Sequence, residues 1–404
     1  MARPLYSYHF VWVEFKRPAD MADSAQSSVK GYSFEDKLGI GACGAVYKAT
    51  KGGETYVLKS IDLMQSDGET SAKLKPKVYV SDQEKKRLHK RASKAAVELR
   101  KLLGVLPLEH DNLVRFFHSF SSQEKLWAVM EYCPLGNLND LVLQPSYDSN
   151  LSTSLMVGIA DGLAHLHDVA DLQHKNLKPM NILLSGTRRS PVPKISDYGI
   201  SKVLSDLKWS SGMSTTDEPG TGHFMAPEVD EGQSTKGSDI FSMGVIFAAV
   251  VDRSSYNSEG TFLVTCVGSR GRLADALKST TLQDLEEGLV TTLPHGSSMK
   301  ALILNMLDYD PAVRPSAAGI SLAIKKIKEG QVIKLDEIEK ADKVVPNGTT
   351  EIVCVDDDLA EMEELDIKHN EDSEGNSSDD GTITSDEDID GGEGDRDEED
   401  NSDD

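Results

Sequence analysis

The stretch LQHKNLKPMNILL, Leu172 to Leu184, decides how this chain is read. It sets His174, Lys175 and Asn176 in a row, follows them with Lys178 and Asn181, and closes on an apolar run. The carboxamide of Asn176 can accept a hydrogen bond and orient a hydroxyl, but it is a very poor base. Whether the loop performs chemistry therefore depends on what flanks it.

Just downstream, PKISDYGISK sets Asp197 between an apolar strand and a glycine. Just upstream, WAVMEYCPLGNLNDL reads as a buried strand running into a polar, glycine-containing linker. Further back, KAAVELRKLLGVLPLEHDNLVRFF begins as a helix in which Glu98 lies among apolar neighbours. A carboxylate there is costly unless paired, and Lys59, closing the alternating run YVLK, is the natural partner. Ahead of it, LGIGACGAVYKA carries Gly39, Gly41, Gly44 and Val46 in G-x-G-x-x-G-x-V spacing between strand-like runs. Glycines so placed let a backbone fold closely over phosphates, with its N–H groups directed at them. No helix pattern follows, which sets aside a dinucleotide-binding fold. Towards the other end, GTGHFMAPE and DYDPAVRPSA offer Glu228 and Arg314 as a buried ion pair. Each segment alone has a bland reading, a turn or a solvated lysine. The ordered set does not.

Over roughly residues 32–329 the chain resembles the eukaryotic protein kinases, with about eight short motifs in matching order. The resemblance implies an α+β, two-lobed fold: a small lobe built on an antiparallel sheet and a larger helical lobe. It implies that Gly39, Gly41 and Gly44 cover the phosphates of ATP and that Lys59 holds them while paired to Glu98. Met130 falls at the gatekeeper position, and Glu131 and Cys133 fall where hinge backbone meets adenine. Asn181 and Asp197 match the two Mg2+-binding positions, and Asp239 in SDIFSMG matches the aspartate that braces the catalytic loop. Glu228 and Arg314 match a structural pair of the lower lobe. Lys178 and Thr221 look like the serine/threonine branch, which implies protein substrates or signalling partners. SPVPKISDYGISKVL is similar, more loosely, to the Clik-type nuclear kinases, which associate with a PDZ–LIM partner.

Two departures matter. Asn176 stands where the family has the aspartate that accepts the substrate hydroxyl proton, and general-base contributions are of order 10²–10⁴ in rate, roughly 3–5 kcal/mol. Lys175 stands where an arginine clamps a phosphorylated activation loop, and lysine offers only a point charge to a phosphate on Ser214, Thr215 or Thr216. Positioning and electrostatics dominate phosphoryl transfer, so binding of ATP with Mg2+ is expected to survive while turnover falls. Four readings follow: a pseudokinase scaffold or switch that binds ATP, a slow serine/threonine kinase, a nucleotide-independent interaction module, and another ATP-dependent transferase.

Composition bounds the rest. Of the 404 residues, 351–404 hold 25 acidic and 2 basic side chains, against 42 and 41 in the first 350. A neutral body with a polyanionic tail argues against nucleic-acid binding, which needs clustered Lys and Arg. From about residue 330 apolar residues thin out, so 330–404 reads as a disordered acidic tail and 1–31 as a flexible leader without the features of a signal peptide. The four cysteines lie far apart, with neither metal-site nor disulfide spacing, which suits a reducing compartment, nuclear or cytoplasmic. The longest apolar run, GVIFAAVV at Gly244–Val251, is too short to span a bilayer and suits a buried helix. KKRLHKR, Lys85–Arg91, is either a nuclear-import signal or a solvated helix face. In the tail, Ile352, Val353 and Val355 followed by Asp356, Asp357 and Asp358 look like a SUMO-interacting motif, and Ser377, Thr384 and Ser385 look like targets of acidophilic kinases.

Overall fold

In the computed structural model, the residues described are 28–338, apart from 42–43, 63–81, 124, 201, 204–220, 258–260, 266–270, 286–287, 295, 332 and 335–337. The SUMO-like segment, the tail phosphorylation sites, the leader up to residue 27 and Ser214, Thr215 and Thr216 all lie outside them.

The amino-terminal lobe is a six-stranded antiparallel sheet in the order β1-β2-β3-β4-β6-β5. Its strands are β1 (Ser28–Val29), β2 (Tyr32–Gly41), β3 (Gly44–Lys51), β4 (Glu54–Asp62), β5 (Phe116–Ser122) and β6 (Lys125–Glu131). The central strand β4 is buried on both faces: Leu58 joins an aromatic cluster with Tyr32, Phe120 and Trp127, and Ile61 joins the main core on the other side. Helix α1 (Asp82–Val105) packs on β5 and β6 through a stripe of Ala92, Ala95, Ala96, Leu99 and Leu103 at helical spacing. The segment Lys85–Arg91 lies within α1, so its backbone is that of a helix face.

The second lobe is helical. It comprises α2 (Leu138–Leu143), α3 (Ser152–Ala164), α4 (Lys236–Asp252), α5 (Leu273–Leu277), α6 (Leu282–Leu285), α7 (Ser298–Met306) and α8 (Ala317–Lys328). The hairpin of β7 (Ile182–Thr187) and β8 (Ser190–Ile195) and the short pair β9 (Ser255–Asn257) and β10 (Thr261–Leu263) complete it. Helix α4 holds the apolar run and is buried from Gly237 to Val250. At Gly244 an added Cβ would come within 2.9 Å of Leu307, so the missing side chain is what lets α7 lie close. The two-lobed α+β arrangement is the one the sequence suggests, and none of the described helices is long and apolar enough to cross a membrane.

Candidate active site

The lobes meet where Val114 N donates to Ile195 O (2.9 Å) and Ile195 N donates to Asn112 O (2.8 Å). Tyr198 adds a hydrogen bond from its hydroxyl to Val114 O, and burial pushes that phenol up. Three motifs converge on this seam.

The first is the glycine hairpin. Gly41 pairs with Gly44 at the β2–β3 turn, and β3 sets Val46 beside Lys59 of β4. Gly44 sits at φ +149, and a Cβ there would fall 2.0 Å from Ser60 O. Only glycine fits that close approach, which Ser60 Oγ secures by accepting from Ala45 N (3.0 Å).

The second is Asp197. Its backbone is left-handed (φ +65), a conformation unfavourable for a residue with a Cβ, and Gly199 follows at φ +77. The turn brings Asp197 Oδ2 to 2.6 Å from Lys59 Nζ. Burial pushes the Asp197 carboxyl up, but the charge and hydrogen bond of Lys59, with His174 and Lys178, outweigh it and hold it below the usual range. Here the structure corrects one expectation. Lys59–Glu98 is not among the ion pairs of the described residues; Lys59 is paired with Asp197. Glu98 is only half-buried on α1, so water lowers the cost of its charge and the pairing inferred from its neighbours is not compulsory.

The third is the loop Leu172–Leu184. Asp239 at the start of α4 is almost fully buried and takes three bonds: from His174 N (2.8 Å), from Lys175 N (2.9 Å) and at His167 Nε2 (2.9 Å). Burial raises its pKa, but the hydrogen bond and charge of His167 and the neighbouring His174 more than offset that and keep the carboxylate ionised. Lys175 is held at φ +64 by this bracing. Buried His174 meets Ser196 O through Nε2 (2.8 Å) and accepts from Asn176 N through Nδ1 (3.2 Å). Asn181 Nδ2 donates to Asn176 O (2.8 Å), and Ser196 N donates to Asn181 O (2.9 Å). None of the described residues donates a hydrogen bond to Asn176 Oδ1. Lys178 is 4% exposed in the same loop. Thr221 begins a 3-10 turn, Thr221–Phe224, and only its backbone is described.

Between the lobes, Val57, Val114, Met130 and Cys133 form one buried apolar cluster, with Val46 and Leu183 packed against it. Met130 also borders a small pocket lined by Leu103, Val114, Phe116, Asp197, Tyr198 and Ile200. The Glu131 side chain is committed elsewhere, accepting from Arg115 N (3.0 Å) and pairing with Lys194 (3.2 Å), and its backbone N donates to Arg115 O (2.9 Å). Burial pushes the Cys133 thiol up to about 12. Val57, Val114 and Leu183 were not among the residues singled out in the sequence. Their signal was present only as ordinary apolar residues, which does not distinguish a binding surface from core.

The protein kinase domain family matches residues 32–326. The chain belongs to the protein kinase family. Among its relatives are cysteine-rich receptor-like protein kinase 26 of Arabidopsis thaliana, 28% identical over 78% of this chain and 44% of that protein, and receptor protein-tyrosine kinase CEPR1 of the same plant, 30% identical over 69% of this chain and 27% of that protein. The chain thus spans less than half the length of either. The crystal structure of Rad53 1-466 in complex with AMP-PNP is similar in fold, with TM-score 0.51 and 21% identity over 72% of this chain and 64% of that one.

The lower lobe also holds a buried ion pair. Arg314 is 0% exposed and meets Glu228 with both terminal nitrogens (2.7 and 3.0 Å). Its other donors reach Asp308 O, Gly237 O and Tyr309 O, so the whole guanidinium is satisfied.

Proposed function

We propose that this domain binds ATP with Mg2+ and orients a protein serine or threonine hydroxyl through Asn176, transferring phosphate slowly or not at all and acting mainly as a nucleotide-responsive signalling switch. The observation that carries this is the braced loop: Asp239 fixes His174 and Lys175, Asn181 donates to Asn176 O, and the side chain held there is an amide where a base would have to stand. An acceptor so placed suits a hydroxyl that donates to it, yet an amide cannot take up the proton.

The donor set fits the nucleotide. Lys59 supplies one cation at the phosphate position, Asp197 is kept ionised, and Asn181 turns its NH2 to Asn176 O, which leaves its Oδ1 for a cation. A divalent ion there would neutralise charge on the phosphates. The apolar cluster that includes Val46, Val57, Met130 and Leu183 suits a flat apolar base, with the Glu131 carbonyl and Cys133 backbone groups to meet its edge. The serine/threonine assignment rests on Lys178 and Thr221. Phosphate transfer from labelled ATP to a mixed protein substrate, compared between the native chain and Asn176→Asp, tests the reading. Rapid transfer by the native chain would overturn the switch; absence of ATP binding in a calorimetric titration would overturn the nucleotide site.

In the tail, Ile352, Val353 and Val355 with Asp356, Asp357 and Asp358 would add a strand to the sheet edge of SUMO, which suits a nuclear or cytoplasmic protein. A peptide covering Thr350–Glu364 that leaves the spectrum of labelled SUMO unchanged would exclude this.

A further inference from the structure

We propose that the outer face of α1 is a docking ridge for an extended acidic peptide segment of a partner protein. The buried stripe of α1 is Ala92, Ala95, Ala96, Leu99 and Leu103. At 3.6 residues per turn, Lys86, Lys90, Lys94 and Lys101 fall in one sector about 80° wide, roughly opposite that stripe. All four are exposed, and among the described residues none of them forms an ion pair. Arg87 and Arg91 flank the row, and Asp82 and Glu98 are acids beside it. The row is therefore a line of ammonium groups about 22 Å long with a step of about 6 Å between its first three members.

That step decides the partner. In an extended peptide every second side chain points the same way, about 6.8 Å apart, so alternate carboxylates can follow the ridge one by one. A membrane surface fits less well, because none of the exposed large apolar side chains of the described residues lies on α1 to enter it. A duplex nucleic acid fits less well too: it would extend past the ridge onto a body whose charge is nearly balanced.

The test uses the full chain and a fluorescein-labelled peptide of alternating Asp and Thr, followed by anisotropy at low and moderate salt. Saturable binding that weakens with salt is expected. Lys86→Gln, Lys90→Gln, Lys94→Gln and Lys101→Gln together should weaken it at least about tenfold, since each exposed pair contributes modestly and four act in line. A control with Lys37→Gln, Lys51→Gln, Lys326→Gln and Lys328→Gln should bind as the native chain does; circular dichroism confirms that both variants are folded. No saturable binding, or equal losses in the two variants, would overturn the ridge. So would tighter binding of a single-stranded RNA or of phosphatidylserine vesicles than of the peptide.

Discussion

Asn176 is held in a loop whose backbone is fixed by His174, Asn181 and Asp239, so an amide stands where a base would be needed. Replacing the amide by a carboxylate at that spot, Asn176→Asp, is expected to raise protein phosphorylation at least about tenfold, recovering part of a general-base contribution. Equal initial rates for the two proteins would mean that another step limits turnover. Cys133 offers an opposite case. With its thiol pushed up to about 12, almost none is thiolate at pH 8, and only the thiolate reacts. Cys133 should stay unmodified by iodoacetamide in the folded chain and react after unfolding, which peptide mass spectrometry reads directly.

Elements were the most legible scale. Alternation in TYVLKSI and SFEDKLGIGA gives β4 and β2, and the apolar run after Gly244 gives the buried α4, because period and burial reinforce each other there. Individual pairings were harder to read. Lys59 meets Asp197 because a left-handed turn delivers that carboxylate, and a turn at φ +65 leaves no trace in a sequence that has aspartate there. The π-turn His165–Val169 is equally silent, yet it carries His167, which reaches Asp239. Glycines show the same split: Gly39 and Gly44 look alike in sequence, but nothing lies within 4 Å of a Cβ at Gly39, whereas Gly44 abuts Ser60. Gly44→Ala should therefore displace the hairpin in the ligand-free protein and lower its melting temperature, while Gly39→Ala should leave that temperature unchanged and weaken ATP only. Scanning calorimetry of the two variants without nucleotide separates them, and matching curves would refute the distinction.

At the scale of the whole molecule, buried charges hold the helical lobe in one arrangement. Removing either member of Glu228–Arg314 strands the other, so Arg314→Ala should cost about 3–5 kcal/mol in urea unfolding, and Arg314→Lys should not rescue it, having lost the fork. Acidity should weaken the fold in two stages. His110, His118 and His174 are all pushed down, burial being the main cause in each, and His110 and His174 spend Nδ1 accepting from Asn112 N and Asn176 N. Their lowered values mean that the unfolded chain takes up these protons first, so stability declines as pH falls below about 6.5, by at most about 1.4 kcal/mol per pH unit for each histidine. Asp197, Glu228 and Asp239 are also held down: burial raises each, but Lys59, Arg314 and His167 respectively outweigh it. For a depressed carboxylate the stabilisation is present above the unfolded value and lost as pH falls through the folded one, so the second stage begins below about pH 4. Urea midpoints measured between pH 8 and pH 3 should trace a plateau, a first decline near pH 6 and a steeper one below pH 4. His174→Asn should shallow the first decline while leaving the second, and a stability that stays level down to pH 4.5 would show that the histidines do not titrate with unfolding.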